Sequence, residues 1–270
     1  MNQTIKRAFL DTKDGQILYR IGGEGESLLL LHMTPRSSDE FREIMPILAQ
    51  DRQVIAMDLM GLGDSDKPPR RYSVADYAQT VIALWDHLGI QKSSILGSLT
   101  GGYIAGEVAA AHPERVEKLI LCNVVGFDKD ETDKIAQRYS QGFQIKEDGS
   151  HLKQRWLARV NYLGEGELNH RCVLEDLKCF GSPIYTGWAV ANYCLDATER
   201  FRSINCPTLV LTGSQSLEPL EKAGLAQAKN QFLLCEAIPQ SKKIEVAGGT
   251  LWMVNQKPEE ISTIILDFLT

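Results

Sequence analysis

The stretch SSILGSLTGGYIAG, residues 93–106, predicts a short apolar strand, a tight turn between glycines and the start of a helix rich in small residues. Gly97 and Gly101 allow the backbone to turn sharply at this point. A strand followed at once by a helix is typical of a parallel sheet covered by helices. Leu99 lies at the centre of the turn, the position that would project above the carboxyl edge of that sheet. The fold and the candidate site are both predicted outward from this residue.

The size and charge of the chain limit the classes of protein it can belong to. Its 270 residues, 43% hydrophobic and 24% charged, suit one α/β domain with a modest insertion. A net charge of -6 disfavours nucleic acids and anionic membranes as partners. The start, MNQTIKRAFLDTKDG, has no apolar leader, and no run approaches the ~20 apolar residues of a membrane span. We expect a cytoplasmic protein that binds neither nucleic acids nor membranes. Whether it forms a homodimer stays an open question.

The cysteines give no sign of a metal centre or a disulfide framework. Six of them are scattered without a C-x-x-C pair, at positions 122, 172, 179, 194, 206 and 235. We expect free thiols in a reducing compartment and neither a metal nor a cofactor.

The N-terminal part predicts a hairpin, then alternating strands and helices. Ala8–Asp11 and Gln16–Ile21 flank Asp14-Gly15, a hairpin turn signal. Ser27–Leu31 is a continuous apolar run, as expected of a strand buried on both faces. An amphipathic helix is predicted over Asp39–Leu48, and a strand over Gln53–Met57.

The remaining elements continue the alternation, with one interruption. Ser73 can cap a helix through Tyr77–Leu88, and strands are predicted over Lys118–Cys122, Thr208–Thr212 and Lys243–Val246, with a closing helix over Ile261–Leu269. Residues 126–201 instead have helical periodicity and no convincing strand. We therefore predict an α/β core of residues 1–125 and 202–270 and a helical lid of residues 126–201. The lid aromatics indicate an apolar pocket beneath it, although we expect only about half of them to reach it.

Three further stretches have a familiar order along the chain. His32–Pro35 follows the first central strand, Asp58–Ser65 follows the second, and Pro258–Glu260 opens the closing helix. With the Gly97–Gly102 turn and the helical insertion, they make the whole chain resemble the α/β-hydrolase superfamily. The resemblance implies a mostly parallel sheet with flanking helices and a helical lid. It implies little about activity, because this fold hosts esterases, epoxide hydrolases, dehalogenases, lyases, cofactor-free dioxygenases and hormone receptors.

The resemblance also implies positions for a catalytic triad, and none holds the expected residue. Leu99 stands where the nucleophile belongs, Ser216 (or its neighbour Leu217) where the acid belongs, and Leu251 where the histidine belongs. No histidine follows His170. Because all three triad residues are missing together, we interpret their absence as a natural feature of this protein that departs from the family pattern.

Alternatives remain open at these positions. A shift of one residue makes Thr100 the nucleophile, although the spacing from the strand favours Leu99; Ser98 fits less well. Glu218 is a candidate substitute for the acid.

The backbone amides of Met33 and Thr100 are the expected oxyanion-type donors. Arg36 could steer an anionic substrate, but we expect a solvated or ion-paired side chain. His32 is expected to be structural, but it is kept among the pocket candidates. These candidates are His32, Thr34, Ser98, Leu99, Asn123, Trp156, Tyr162, Tyr185, Trp188, Leu251 and Trp252.

Three functions are compatible with these residues. The first is a cofactor-free, non-hydrolytic enzyme (a cyclase, isomerase or lyase) acting on a small apolar metabolite by shape, desolvation and oriented hydrogen bonds. The second is a ligand-binding pseudohydrolase or sensor. The third is a hydrolase that uses unorthodox groups such as Thr100 or a cysteine or histidine of the lid. The sequence predicts a small apolar ligand in each case and ranks the non-hydrolytic enzyme first.

Overall fold

The computed structural model describes residues 4–140, 144–163, 166–179 and 185–270. Eight strands in these ranges form one sheet in the order β1-β2-β4-β3-β5-β6-β7-β8. The strands are β1 Lys6–Thr12, β2 Gly15–Gly22, β3 Ser27–Leu31, β4 Gln53–Met57, β5 Ser93–Ser98, β6 Val116–Cys122, β7 Thr208–Gly213 and β8 Ser241–Val246. The pairs β1·β2 and β2·β4 are antiparallel, and every later pair is parallel. The predicted mostly parallel sheet is confirmed.

Helices cover the sheet and fill the insertion between β6 and β7. Those outside the insertion are α1 Met45–Leu48, α2 Val74–His87, α3 Thr100–Ala111, α9 Glu218–Lys222, α10 Met253–Gln256 and α11 Pro258–Leu269. Those within it are α4 Lys129–Ser140, α5 Ser150–Leu157, α6 Val160–Leu163, α7 Gly166–Lys178 and α8 Tyr185–Arg202. The insertion is helical in its described residues, and its limits as a separate lid stay a prediction.

The central strands are apolar because both faces of the sheet are covered. All five residues of β3 are buried. Leu29 and Leu31 pack into the hydrophobic cluster of one face, whereas Leu28 and Leu30 pack into that of the other. This alternation follows from the two-residue period of a strand, and it anchors the carboxyl edge at which the site is built.

Local sequence signals explain several boundaries. The hairpin turn ends at Gly15, whose φ of 125° is open to glycine. At the start of α2, Ser73 and Asp76 form a reciprocal capping box. The continuous helix predicted over residues 39–48 is wrong, because the chain forms a 3-10 turn at Ser38–Phe41 and then the separate α1. Pro46 lies in the first turn of α1, where its missing N–H is tolerated; inside a longer helix its ring would clash with the preceding turn.

The β5–α3 turn depends on its glycines. A Cβ on Gly97 would lie 2.3 Å from the carbonyl oxygen of Gly101, and one on Gly101 would lie 2.2 Å from that of Leu31. The helix can therefore start directly against the sheet only with hydrogen at both positions. In the described part of the chain, no helix has the length and apolar character needed to cross a membrane.

Candidate functional site

Leu99 occupies the apex of the β5–α3 turn in a strained backbone conformation. Its φ and ψ are 42° and -103°, and it is the N-cap of α3 without a side-chain cap hydrogen bond. Such a conformation costs a non-glycine residue on the order of 1–3 kcal/mol. The side chain held there is a half-buried hydrocarbon, so the turn presents an apolar surface where a nucleophile would give chemistry.

A cavity of about 210 Å³ lies above this apex. Leu99 and Leu251 both line it, and both pack in one apolar cluster with Met33 and Trp252. Helix α9 and the residues just after it form another part of the wall, through Pro219, Leu220, Ala223 and Leu225. An apolar cavity of roughly 150 Å³ can hold benzene, so this one accommodates a molecule of about one substituted ring.

A smaller cavity of about 50 Å³ adjoins the first. The two share the lining residues Leu99, Tyr139, Leu220 and Leu225. The rest of the smaller wall is almost wholly apolar and includes Tyr103. The combined space therefore has an apolar end directed away from the loop that follows β3.

The loop after β3 does not offer the amide donor that the sequence predicted. The Met33 N–H donates to Glu40 Oε2 at 2.8 Å, inside the protein. The next amide, that of Thr34, donates to Thr100 Oγ1 at 3.4 Å. An oxyanion hole needs donors directed at the position of the developing charge. Both loop amides are engaged within the fold, so this half of the expected donor pair is closed.

The Glu40 carboxyl is buried among groups that act on it in opposite directions. Burial raises its pKa above the ordinary 4.5, while Arg36, Ser98, the Met33 amide and His32 oppose that rise. Its Oε1 has no hydrogen-bond partner among the described residues. The Glu40 carboxyl therefore accepts the Met33 N–H, although Glu40 lines neither cavity.

Two candidates are structural. His32 is fully buried; its Nδ1 lies 2.9 Å from the Met33 carbonyl, and its Nε2 accepts from the Leu59 N–H at 3.0 Å. Asn123 accepts from the Gly213 N–H at 2.9 Å and donates to the Thr250 carbonyl at 3.2 Å. Each therefore fastens neighbouring loops at the carboxyl edge, and Asn123 does so at a φ of 53°.

The remaining pocket candidates separate into two groups. Thr34 and Trp252 line the larger cavity, as predicted for pocket residues. Trp188 packs against the main core and stacks beneath Arg71, with the guanidinium carbon 5.2 Å from the ring centroid. Trp156 is 36% exposed on α5. Neither tryptophan, nor the half-buried Tyr185, is among the described lining residues. The Tyr162 side chain lies outside the described residues.

The groups proposed as substitutes for the triad are poorly placed. Ser98 is buried at the end of β5 and lines neither cavity. Ser216 is buried, and its hydroxyl has no hydrogen-bond partner among the described residues. Glu218 points to Lys222 across an exposed ion pair of 2.5 Å. Thr100 lines the smaller cavity, but its hydroxyl accepts from a backbone amide. The described residues thus bring no histidine and carboxylate to its side.

The sequence analysis missed the charge of the cavity. Four arginines line it, together with one aspartate: Arg36, Arg138, Arg155, Arg159 and Asp176. Arg155 and Arg159 lie four residues apart, a helical spacing, and both contact Asp176 Oδ2, at 2.7 and 2.5 Å. The spacing of these two arginines was the available signal in the sequence for a charged wall. Only the fold places their side chains in the same cavity as Leu99.

Metal binding and thiol chemistry find no support in the geometry. The described residues contain no group of three or more histidine, cysteine or acidic side chains that could hold a metal ion. All six cysteines are free. Burial raises the pKa of the Cys122 and Cys172 thiols, which disfavours the reactive thiolate.

Comparisons with known proteins agree with the architecture. A family model described as alpha/beta hydrolase fold matches residues 26–156. Fluoroacetate dehalogenase of a Burkholderia species is 24% identical over 100% of this chain and 95% of its own. The crystal structure of a hydrolase from Pseudomonas aeruginosa superposes with a TM-score of 0.78 at 21% identity, covering 97% of this chain and 98% of that one.

Higher identity is confined to shorter regions. An uncharacterized protein of Mycobacterium tuberculosis is 40% identical over 112 residues, which are 42% of this chain and 33% of that protein. The chain thus spans about a third of the length of that curated relative. Similarity over the full chain supports the fold, whereas the local similarity does not carry an activity across.

Proposed function

We propose that this chain, which has the α/β-hydrolase fold, binds a small molecule in the cavity above Leu99 and does not hydrolyse it through a covalent acyl intermediate. The observation that carries the proposal is the apolar apex of the β5–α3 turn. Leu99 holds the strained position of a nucleophile with a side chain that cannot attack a carbonyl group.

Binding is favoured over the other functions because the triad side chains are missing and the Met33 half of the expected donor pair is engaged. A cyclase, isomerase or lyase that works by oriented hydrogen bonds needs free donors near the apex. The Met33 amide is instead bound to Glu40 and the Thr34 amide to Thr100. A hydrolase that uses Thr100 needs an adjacent base, and the described surroundings of that hydroxyl provide none.

The cavity itself supports a binding role. It is retained at the edge where parallel sheets gather their ligands, and its volume of about 210 Å³ is lined by apolar side chains and a few charged ones. The strain at Leu99 is kept without a reacting group, which indicates that the turn's shape is used to form the floor of the cavity.

Hydrolysis of 4-nitrophenyl acetate, followed by stopped-flow absorbance, tests the absence of acyl transfer. We expect no burst and no turnover above that of a Thr100→Val variant. Mass spectrometry after treatment with a fluorophosphonate is expected to find no adduct at residues 98–100. A burst of about one equivalent that is lost in Thr100→Val would overturn the proposal in favour of an unorthodox hydrolase.

A further inference from the structure

We infer that the cavity contains an anion subsite at Arg36 that takes the carboxylate of a small, largely apolar organic acid. The inference rests on the binding function proposed above and specifies its ligand class. The sequence predicts a small apolar molecule and favours a solvated or ion-paired Arg36 over one that steers an anion; the surroundings of Arg36 point to a charged group on the ligand instead.

Arg36 is a buried cation whose hydrogen bonds are not satisfied by the protein. Its side chain is 3% exposed, and neither Nε nor the two Nη atoms have a hydrogen-bond partner among the described residues. Arg36 is also among the residues that line the cavity of about 210 Å³. A buried charge without partners is costly, so a structure that keeps one beside an open cavity favours an anionic ligand there.

Two acidic residues, Asp39 and Glu40, interact with the charge of Arg36, but neither accepts a hydrogen bond from its guanidinium. Asp39 Oδ2 lies 3.8 Å from the Arg36 guanidinium, and the same oxygen accepts from Arg171 at 3.0 Å. Glu40 is engaged by the Met33 amide through Oε2. The guanidinium therefore keeps donors for an additional acceptor.

The wider lining increases the attraction for an anion. Arg155 and Arg159 share the single carboxylate oxygen Asp176 Oδ2. With Arg36 and Arg138, the lining has four cationic side chains against one anionic side chain. This local excess of positive charge contrasts with the net charge of -6 of the chain, so it is a property of the cavity and not of the composition.

The geometry favours a carboxylate on an apolar body. One guanidinium fork matches the two oxygens of one carboxylate. The nearby lining by Leu99, Leu251 and Trp252 is mostly hydrocarbon, which suits the apolar body of such an acid better than the additional oxygens of a phosphate. The apolar cavity beyond Leu99 provides room for a hydrocarbon or aromatic group.

Isothermal titration calorimetry with phenylacetate and with phenylacetamide, its neutral isostere, tests the subsite. We expect the wild-type chain to bind phenylacetate at least about tenfold more tightly than the amide, because a hydrogen bond to a charged group is lost with the amide. Arg36→Met should weaken phenylacetate about 10- to 100-fold and leave the amide unchanged. Arg202→Met, which removes an exposed arginine of α8 that does not line the cavity, is the matched control and should behave as wild type.

Each other outcome contradicts a defined part of the account. Equal affinity of the wild type for the acid and the amide would overturn the anion subsite and leave the binding function standing. Tighter binding of phenyl phosphate than of phenylacetate would overturn the carboxylate assignment. Binding of neither acid nor amide would overturn the subsite and count against the binding function as well. The comparison of acid and amide needs no variant, so it decides whether the cavity takes an anion even where Arg36→Met does not fold.

Discussion

Backbone strain at Leu99 can be measured by comparing two truncations, Leu99→Gly and Leu99→Ala. Both remove nearly the same side-chain contacts, so their difference reports the backbone. At an ordinary position glycine is less stable than alanine by about 0.5–1 kcal/mol. At φ 42° and ψ -103°, alanine retains strain of about 1–3 kcal/mol that glycine relieves. We therefore expect Leu99→Gly to be the more stable variant by about 0.5–2 kcal/mol.

Urea unfolding followed by circular dichroism measures this difference, and thermal melts provide a second estimate at about 2–4 °C per kcal/mol for a protein near this size. Ala110→Gly in α3 is the control for an unstrained position, where glycine should cost about 1 kcal/mol. Equal stability of the two Leu99 variants, or greater stability of Leu99→Ala, would refute the strain argument and the view that the nucleophile geometry is retained.

Three further changes have defined outcomes. Burial raises the pKa of Glu40, so above pH 4.5 the folded state binds more protons than the unfolded state. The free energy of unfolding of the wild type should therefore fall as the pH rises above 4.5. Glu40→Gln should remove the contribution of this carboxyl to that pH dependence, measured by urea unfolding at pH 5–8. Asn123→Ala should lower the free energy of unfolding by about 2–4 kcal/mol, since it removes two buried hydrogen bonds and leaves alanine at positive φ. Trp252→Ala should weaken phenylacetate binding by about 1–3 kcal/mol in calorimetry, whereas Trp188→Ala should not change it.

Opposite results would contradict specific contacts. An unchanged pH slope in Glu40→Gln would mean that this carboxyl is ionised in the folded state as readily as in the unfolded one. A cost below about 0.5 kcal/mol in Asn123→Ala would show that its hydrogen bonds do not hold the strand ends together. Weakened binding in Trp188→Ala but not in Trp252→Ala would place the ligand beneath α8 and away from Leu251.

The fold could be predicted from the sequence because its signals are local. Ser27–Leu31 is apolar at every position, and the glycines around Leu99 allow only a sharp turn. The continuous helix predicted over residues 39–48 is wrong because the apolar period does not report the effect of Pro46, whose geometry interrupts such a helix.

The site could be predicted only in part, since its contacts join distant segments. Leu99 and Leu251 were found from their positions relative to glycines. The closure of the Met33 amide by Glu40 depends on a side chain seven residues away that folds back beneath the loop. The cationic lining combines Arg36 with Arg159 and its neighbours on a different segment. The composition gives only the net charge of the whole chain, which is negative, so it does not reveal the local excess of positive charge in the cavity.

Native mass spectrometry with 4-acetoxyphenylacetate tests the central claim most directly, because this probe has a carboxylate for Arg36 and a cleavable ester at its other end. The account predicts a complex with the mass of the chain plus one intact probe, reversible on denaturation and depleted in Arg36→Met. An acetylated chain that persists on denaturation, absent from Thr100→Val, would contradict it. So would release of 4-hydroxyphenylacetate faster than in buffer alone.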